Sequence, residues 1–397
     1  MRRQPTDSLI TTFSITTFEG FEEILSAEIT ALGGEDVEIG RRIVHCNGDK
    51  DFLYRANLCL RSGIRVLVNI TEFRARNEQE LYDQLKAIDW SPFLEKDGNL
   101  WIDANTASEY HRNAVYLSQL FKDAIVDQFR DKTGERPSVS KEDADLRLNL
   151  HVTRNDEVSV SLNSSGDGLH RRGYRKKTGG APINEVLAAG LLLLAGYDGE
   201  VPFVDPMCGS GTIVAEAAMI AANHPPGLYR KFGFERWPDF EIELWSSIRQ
   251  EALDARRKPP HLIIGSDIEE LTVNLAKISL DRAGVLKYVE LRTQPFDQLQ
   301  APPITEEGGG MLVTNPPYEV RLSTGNIEGF YQMIGDTLKQ NWKGYAAWII
   351  TGSPEGLKSV GLKTSRRIPL MNGPLEVRFV RYDLYDGSRK TKHLEEK

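Results

Sequence analysis

The stretch LVTNPPY at residues 312–318 joins strand-like residues to an amide, two prolines and an aromatic ring. Consecutive prolines lack N–H donors and fix φ near about −65°, so hydrogen-bonded structure stops there. The Asn315 side-chain oxygen and the Pro316 carbonyl, stiffened by Pro317, then form two rigid acceptors at the lip of a sheet. Such a pair can take both hydrogens of an exocyclic base amine and turn its lone pair toward an electrophile as charge develops on nitrogen. Tyr318 supplies a ring for a base to stack on, a contact worth roughly 1–3 kcal/mol in nucleic-acid sites. A base reaches such a pocket only when it is unpaired or has left its helix. The plain alternative is a strand ending in a Pro-Pro turn, with Asn315 capping locally.

A second chemical feature is FVDPMCGSGTIVAEAAMIAA at 203–222, a strand, a Gly-rich turn and a helix of small residues. Gly209 and Gly211 allow a ligand to approach the backbone, and Thr212 opens the helix, whose free N–H groups favour a negative group. No Gly-Lys-Ser/Thr follows, so this is not a nucleoside triphosphate loop. A dinucleotide site wants a carboxylate about 20 residues on, whereas Asp267 lies 62 residues past Asp205, beyond a long insertion. Asp267 ends an apolar strand, where it can accept hydrogen bonds from a ribose. PFD at 295–297 places Phe296 to pack on a purine and Asp297 to accept from an exocyclic amine. Asp205 ends the first strand, beside the expected place of a cationic amino acid moiety. Ligands bind at such carboxyl strand ends in open α/β sheets; singly, each aspartate also reads as an ordinary cap or turn residue.

The elements that must position these groups follow a βαβ pattern after residue 165. Strands are expected at 201–206, 261–267, 289–295, 311–317 and 345–351, with helices between them. RRIPLMN and LEVRFVRYDLY come too close together for a helix, so the last pair reads as an antiparallel hairpin. Before residue 165 the pattern is mixed. Strand signals at LITTFSIT, VEIGRRIVHCNG, 65–75, 99–106 and 146–166 alternate with helices at FEEILSAEITALGG, 77–90 and 114–134. The fold class is therefore α/β, a seven-stranded sheet preceded by an α+β module. The expected domains are 1–60, 61–165 and 166–397.

DPMCGSGT, GSDIE, PFD and TNPPY, in this order, resemble class I S-adenosylmethionine-dependent methyltransferases that act on exocyclic amines. The chain is most similar to the large-subunit rRNA guanine-N2 methyltransferases, which place a ferredoxin-like segment and a THUMP RNA-binding domain before a Rossmann-like catalytic fold. GLHRRGYRKKTGGAPINEVLAAGLL (168–192), GLYRKFGFERWPDF (227–240) and NGPLEVRFVRYDLY carry the same resemblance. It implies S-adenosyl-L-methionine as cofactor, with no metal, held by Asp205, Pro206, Cys208, Gly209, Gly211, Thr212, Asp267, Ile268, Phe296 and Asp297. It implies catalysis at Asn315, Pro316, Pro317 and Tyr318 on the N2 amine of a guanine in 23S rRNA, and a packing role for Cys208. Related chains fuse this unit to a second methyltransferase; with nothing past Lys397, a single activity is expected. The amine chemistry alone also admits a tRNA guanine, an adenine N6 of DNA or RNA, or a protein glutamine. The different class of alternative is a non-catalytic RNA-binding assembly factor.

HRRGYRKK at 170–177 gives Arg171, Arg172, Tyr174, Arg175, Lys176 and Lys177, read as RNA phosphate contacts in a chain of net charge −8. Such a run is otherwise a solvated linker face. With 40% apolar and 27% charged residues in 397, the chain is of ordinary globular composition. The longest apolar run, 186–197, is too short to span a bilayer. No export signal is read at the N-terminus, and Cys46, Cys59 and Cys208 make neither a disulfide framework nor a zinc cluster, so a cytoplasmic location is expected and no membrane partner. His224 and His261 show no ligand spacing. The sequence carries no signal for oligomeric state.

Overall fold

A computed structural model describes residues 11–175, 183–304, 309–317 and 326–385. The described chain falls into two compact units. One gathers the residues up to Thr17, Leu25–Leu169 and Arg230–Gln250; the other gathers Phe18–Ile24, His170–Tyr229 and the residues from Glu251 on.

The first unit is built on eight strands: β1 (Thr11–Thr16), β2 (Glu35–Ile39), β3 (Ile43–Gly48), β4 (Arg65–Arg74), β5 (Asn99–Thr106), β6 (Ser138–Val139), β7 (Leu146–Val152) and β8 (Glu157–Asn163). They form one sheet in the order β2-β3-β1-β4-β8-β7-β5-β6. In β7, Leu146, Leu148, Leu150 and Val152 are buried and the residues between them half-buried, the period of two that lets one face pack on a core. That core is closed by helices α3 (Glu78–Ala87) and α4 (Ala114–Thr133) through Leu81, Leu85, Leu117, Phe121 and Ile125. Asn113 caps α4 by accepting from Val115 N and Tyr116 N, and Gly134 ends it at φ +74°. Helix α1 (Glu22–Ala31) matches the expected amphipathic stretch, whereas α2 (Lys50–Cys59) had no counterpart in the sequence reading.

The stretch Arg230–Gln250 lies far along the chain but packs within this first unit. Phe234 stacks on Tyr54 with centroids 4.6 Å apart, and Trp245 meets Phe234 edge-on at 5.2 Å. Arg230 donates to the Ser165 and Gly168 carbonyls at 2.8 Å each. A Cβ at Gly233 would lie 2.8 Å from the Asn163 carbonyl oxygen, so this approach requires glycine. Helix α7 (Ile242–Asp254) begins inside the stretch.

The second unit is a seven-stranded sheet of β9 (Phe203–Asp205), β10 (Ile263–Asp267), β11 (Val289–Thr293), β12 (Gly310–Thr314), β13 (Tyr345–Thr351), β14 (Arg366–Asn372) and β15 (Leu375–Asp383). The order is β11-β10-β9-β12-β13-β15-β14, with β15 antiparallel to both neighbours. This is the expected α/β sheet with its last pair antiparallel. β12 is buried throughout, as a central parallel strand covered on both faces must be. Pro369 is tolerated in β14 because that strand is the sheet edge.

Helices α5 (Glu185–Leu194), α6 (Thr212–Ala221) and α8 (Glu270–Arg282) share one core, which Phe21 joins at 0% exposure. Gly190 of α5 leaves room for the Phe21 ring; a Cβ there would overlap it. Helices α9 (Ile327–Asn341) and α10 (Pro354–Ser359) share the other core, with Tyr331, Ile334, Leu338 and Leu357. Among the described residues no helix is long and apolar enough to cross a membrane.

Candidate active site

Strand β9 stops at Asp205, and the chain turns through buried Pro206 and Cys208 into the glycines. Cys208 N donates to the Ser266 carbonyl of β10 at 2.8 Å, pinning the turn to the neighbouring strand end. Gly209 has φ +53° and Gly211 φ +82°, left-handed values that suit glycine. A Cβ on Gly211 would come within 2.9 Å of the Ala276 Cβ on α8, so glycine also lets the two helices approach. A Cβ on Gly209 would meet nothing within 4 Å, so that side of the turn is open. Thr212 is buried as the first residue of α6, and Gly211, its N-cap, offers no side chain to the helix amides.

Asp267, at the end of β10, is half-buried. It accepts Gly209 N on Oδ2 at 3.0 Å and Glu269 N on Oδ1 at 3.1 Å. Each carboxylate oxygen has two lone-pair sites, so both keep capacity for ligand hydroxyls. Asp205 is 1% exposed and accepts Thr314 Oγ1 at 2.9 Å and Met207 N at 3.3 Å. Burial pushes its carboxyl up to about 7, with a smaller push from Asp267, against the two hydrogen bonds. Burial, then Asp205 and Asp267, holds the Cys208 thiol well above its usual value, so it is a neutral packing group and not a thiolate.

Ile268, next to Asp267, is 69% exposed at the lip. Phe296 is the correction here. The expected purine-packing ring is 4% exposed and lies in the core against Trp342, with centroids 5.7 Å apart and planes tilted by 47°, so almost none of its surface is open to a purine. Asp297 follows it, exposed in a short 3₁₀ turn. Asn315, half-buried, and buried Pro316 leave β12 at the same lip as Asp205 and Asp267, and Pro317 follows. Tyr318, Lys176 and Lys177 lie outside the described residues.

The basic strip is corrected more heavily. Arg172 is 2% exposed, its Nε 3.5 Å from Oε1 of Glu216, a fully buried carboxylate on α6. The Tyr174 hydroxyl donates to the same oxygen at 2.9 Å, and burial pushes that phenol well up. Arg175 donates to the Ile183 carbonyl at 2.9 Å and pairs with Glu185 at 3.3 Å. Arg172 and Tyr174 are thus internal ties rather than RNA contacts, and Arg175 is largely committed within the unit. Arg171 stays exposed. Sequence reasoning missed Glu216 and Thr314. Glu216 sat in a run of small residues 44 positions from Arg172, and Thr314 read as one more strand residue.

Together these strand ends fit an adenosyl amino acid. The turn is open at Gly209, Asp267 keeps acceptor capacity, and Asp205 is a buried carboxylate that a cationic group would satisfy. Among the described residues no group of three or more His, Cys, Asp or Glu converges as a metal site.

Comparison with known proteins agrees with the fold. Residues 172–381 match the RMKL-like methyltransferase domain, 12–67 the RlmL ferredoxin-like domain and 75–163 the THUMP domain. A Synechocystis sp. protein that carries the name of an RNA methyltransferase is 37% identical over 373 residues, 93% of this chain and 96% of its own. The ribosomal RNA large subunit methyltransferase K/L of Syntrophotalea carbinolica is 36% identical over 381 residues, 94% of this chain; the match spans 53% of that longer protein. The crystal structure of SMU.472, a methyltransferase complexed with S-adenosylhomocysteine, superposes with a TM-score of 0.84 at 27% identity, over 96% of this chain and all of its own. The chain belongs to the RMKL-like family of S-adenosylmethionine-dependent methyltransferases.

Proposed function

We propose that this protein methylates the exocyclic N2 amine of a guanine in RNA, with large-subunit rRNA as its substrate. The observation that carries the reading is Asn315-Pro316-Pro317 leaving β12 beside the strand ends that bear Asp205 and Asp267. The cofactor supplies an electrophilic methyl group on a sulfonium. Asp267 holds the ribose and Ile268 offers the exposed apolar surface for the adenine, in place of the buried Phe296. Asp297 accepts from the adenine amine, and Asp205 faces the amino acid end.

Both N–H groups of the guanine amine donate hydrogen bonds to the Asn315 oxygen and the Pro316 carbonyl. This offsets the positive charge that develops on nitrogen and needs positioning more than a strong base. The nitrogen takes the methyl as S-adenosylhomocysteine leaves, and then loses one proton to water. Tyr318 stacks on the base. The THUMP match and the rRNA methyltransferase among the relatives support RNA as partner, and a cytoplasmic location follows from that substrate.

The test is nucleoside mass spectrometry of 23S rRNA and tRNA from cells lacking the gene and from cells with it restored. Loss of one N2-methylguanosine from 23S rRNA, returned by the wild type and not by Asn315→Ala, is the expected result. A change confined to tRNA or to N6-methyladenosine would reassign the substrate. An unchanged nucleoside profile would overturn RNA methylation.

A further inference from the structure

Strands β9 and β12 run parallel and adjacent, with Phe203 paired to Met311 and Val204 to Leu312. Their last residues, Asp205 and Thr314, emerge together at the lip, each 1% exposed. Thr314 Oγ1 donates to Asp205 Oδ1 at 2.9 Å, and the same oxygen accepts Met207 N at 3.3 Å. Asn315 is the next residue. Valine would fill this strand position with the same shape and no buried hydroxyl to satisfy. The hydroxyl earns its place through the carboxylate it holds.

We propose that Thr314 is a positioning residue whose hydroxyl turns the Asp205 carboxylate toward the cofactor's amino acid end and ties it to the strand end carrying Asn315. The proposal rests on the reading of Asp205 and Asn315 above. It makes the two halves of the reaction, cofactor seating and amine capture, share one buried hydrogen bond.

The bond has a signature that packing alone lacks. The groups facing Asp205 are Asp267 from β10, Cys208 and Met207 N from the turn, and Thr314 from β12. Burial raises the Asp205 carboxyl, the Thr314 and Met207 bonds favour the ionised form, Asp267 adds a smaller push upward, and the net is about 7. Only the ionised form attracts the cationic amino group. Cofactor affinity therefore falls as pH drops below about 7, approaching tenfold per unit. Removing the Thr314 hydroxyl leaves the carboxyl higher still, so the acidic limb moves to higher pH.

The experiment is calorimetric titration of S-adenosylhomocysteine across the neutral range into the wild type, Thr314→Val and Thr314→Ser, with kcat at saturating cofactor measured alongside. Thr314→Val is expected to move the acidic limb up by about half a pH unit or more and to lower kcat several-fold. Thr314→Ser, which keeps the donor, should match the wild type and guards against a folding defect. An affinity lowered equally at every pH, or an unchanged limb, would overturn the proposal. A wild type with no acidic limb and an Asp205→Asn variant of unchanged affinity would instead sink the Asp205 assignment itself.

Discussion

The Gly-rich turn at 205–212 and the basic strip at 170–175 lie in the same unit, and both read from sequence as places where a ligand docks. In the turn, each residue is held by backbone needs that its type announces: positive φ at Gly209 and Gly211, a strand-end carboxylate at Asp205. In the strip, Arg172 and Tyr174 face inward, onto a carboxylate 44 residues away. Conformational constraint is written locally and can be read locally. Charge says only that a partner exists, and Glu216 serves as that partner as well as a phosphate would.

The sharpest test of the comparison is Asn315→Ala at the lip. Its kcat should fall about 10²–10³-fold or more, while S-adenosylhomocysteine affinity by calorimetry stays within about twofold. Unchanged turnover would remove the lip from catalysis. On the other side, Glu216→Ala removes the buried carboxylate that Arg172 and Tyr174 meet and should cost about 3–5 kcal/mol in urea unfolding. A variant of full stability that has lost RNA binding would return the strip to the interface and break the comparison.

Asp267→Ala removes the acceptor for Gly209 N and should weaken cofactor binding about 10–100-fold; equal affinity would sink the ribose assignment. The smallest effect is expected from Arg171→Ala. Its stability should stay within about 0.5 kcal/mol, and the salt slope of RNA binding should flatten by about one. A slope that does not change would take Arg171 out of RNA binding.

The parallel sheet was legible because its strands are short apolar runs bounded by turn residues and separated by helices, and because two strands without room for a helix must pair antiparallel. Helix α2 was not. Six of its ten residues are buried, including Tyr54 and Asn57, so its apolar pattern has no clean stripe, and its one clear local signal is the Asp49 cap on Phe52 N. Phe296 failed for the reason that Arg172 did. Its partner, Trp342, lies 46 residues on, at the end of α9. The motif residues point to a candidate site, and long-range neighbours decide which of the side chains are buried.

The exchange of segments between the units bears on how the chain can be cut. A fragment starting near residue 166 would keep Phe234 and Trp245 but lose Tyr54, leaving an aromatic cluster bare to water. It would also lose Phe21, the ring that fills the space beside Gly190. The complementary N-terminal fragment would carry Phe21 with nothing to cover it. A protease that nicks an exposed loop would therefore leave two pieces that stay associated through borrowed segments, and no single cut yields two self-sufficient modules.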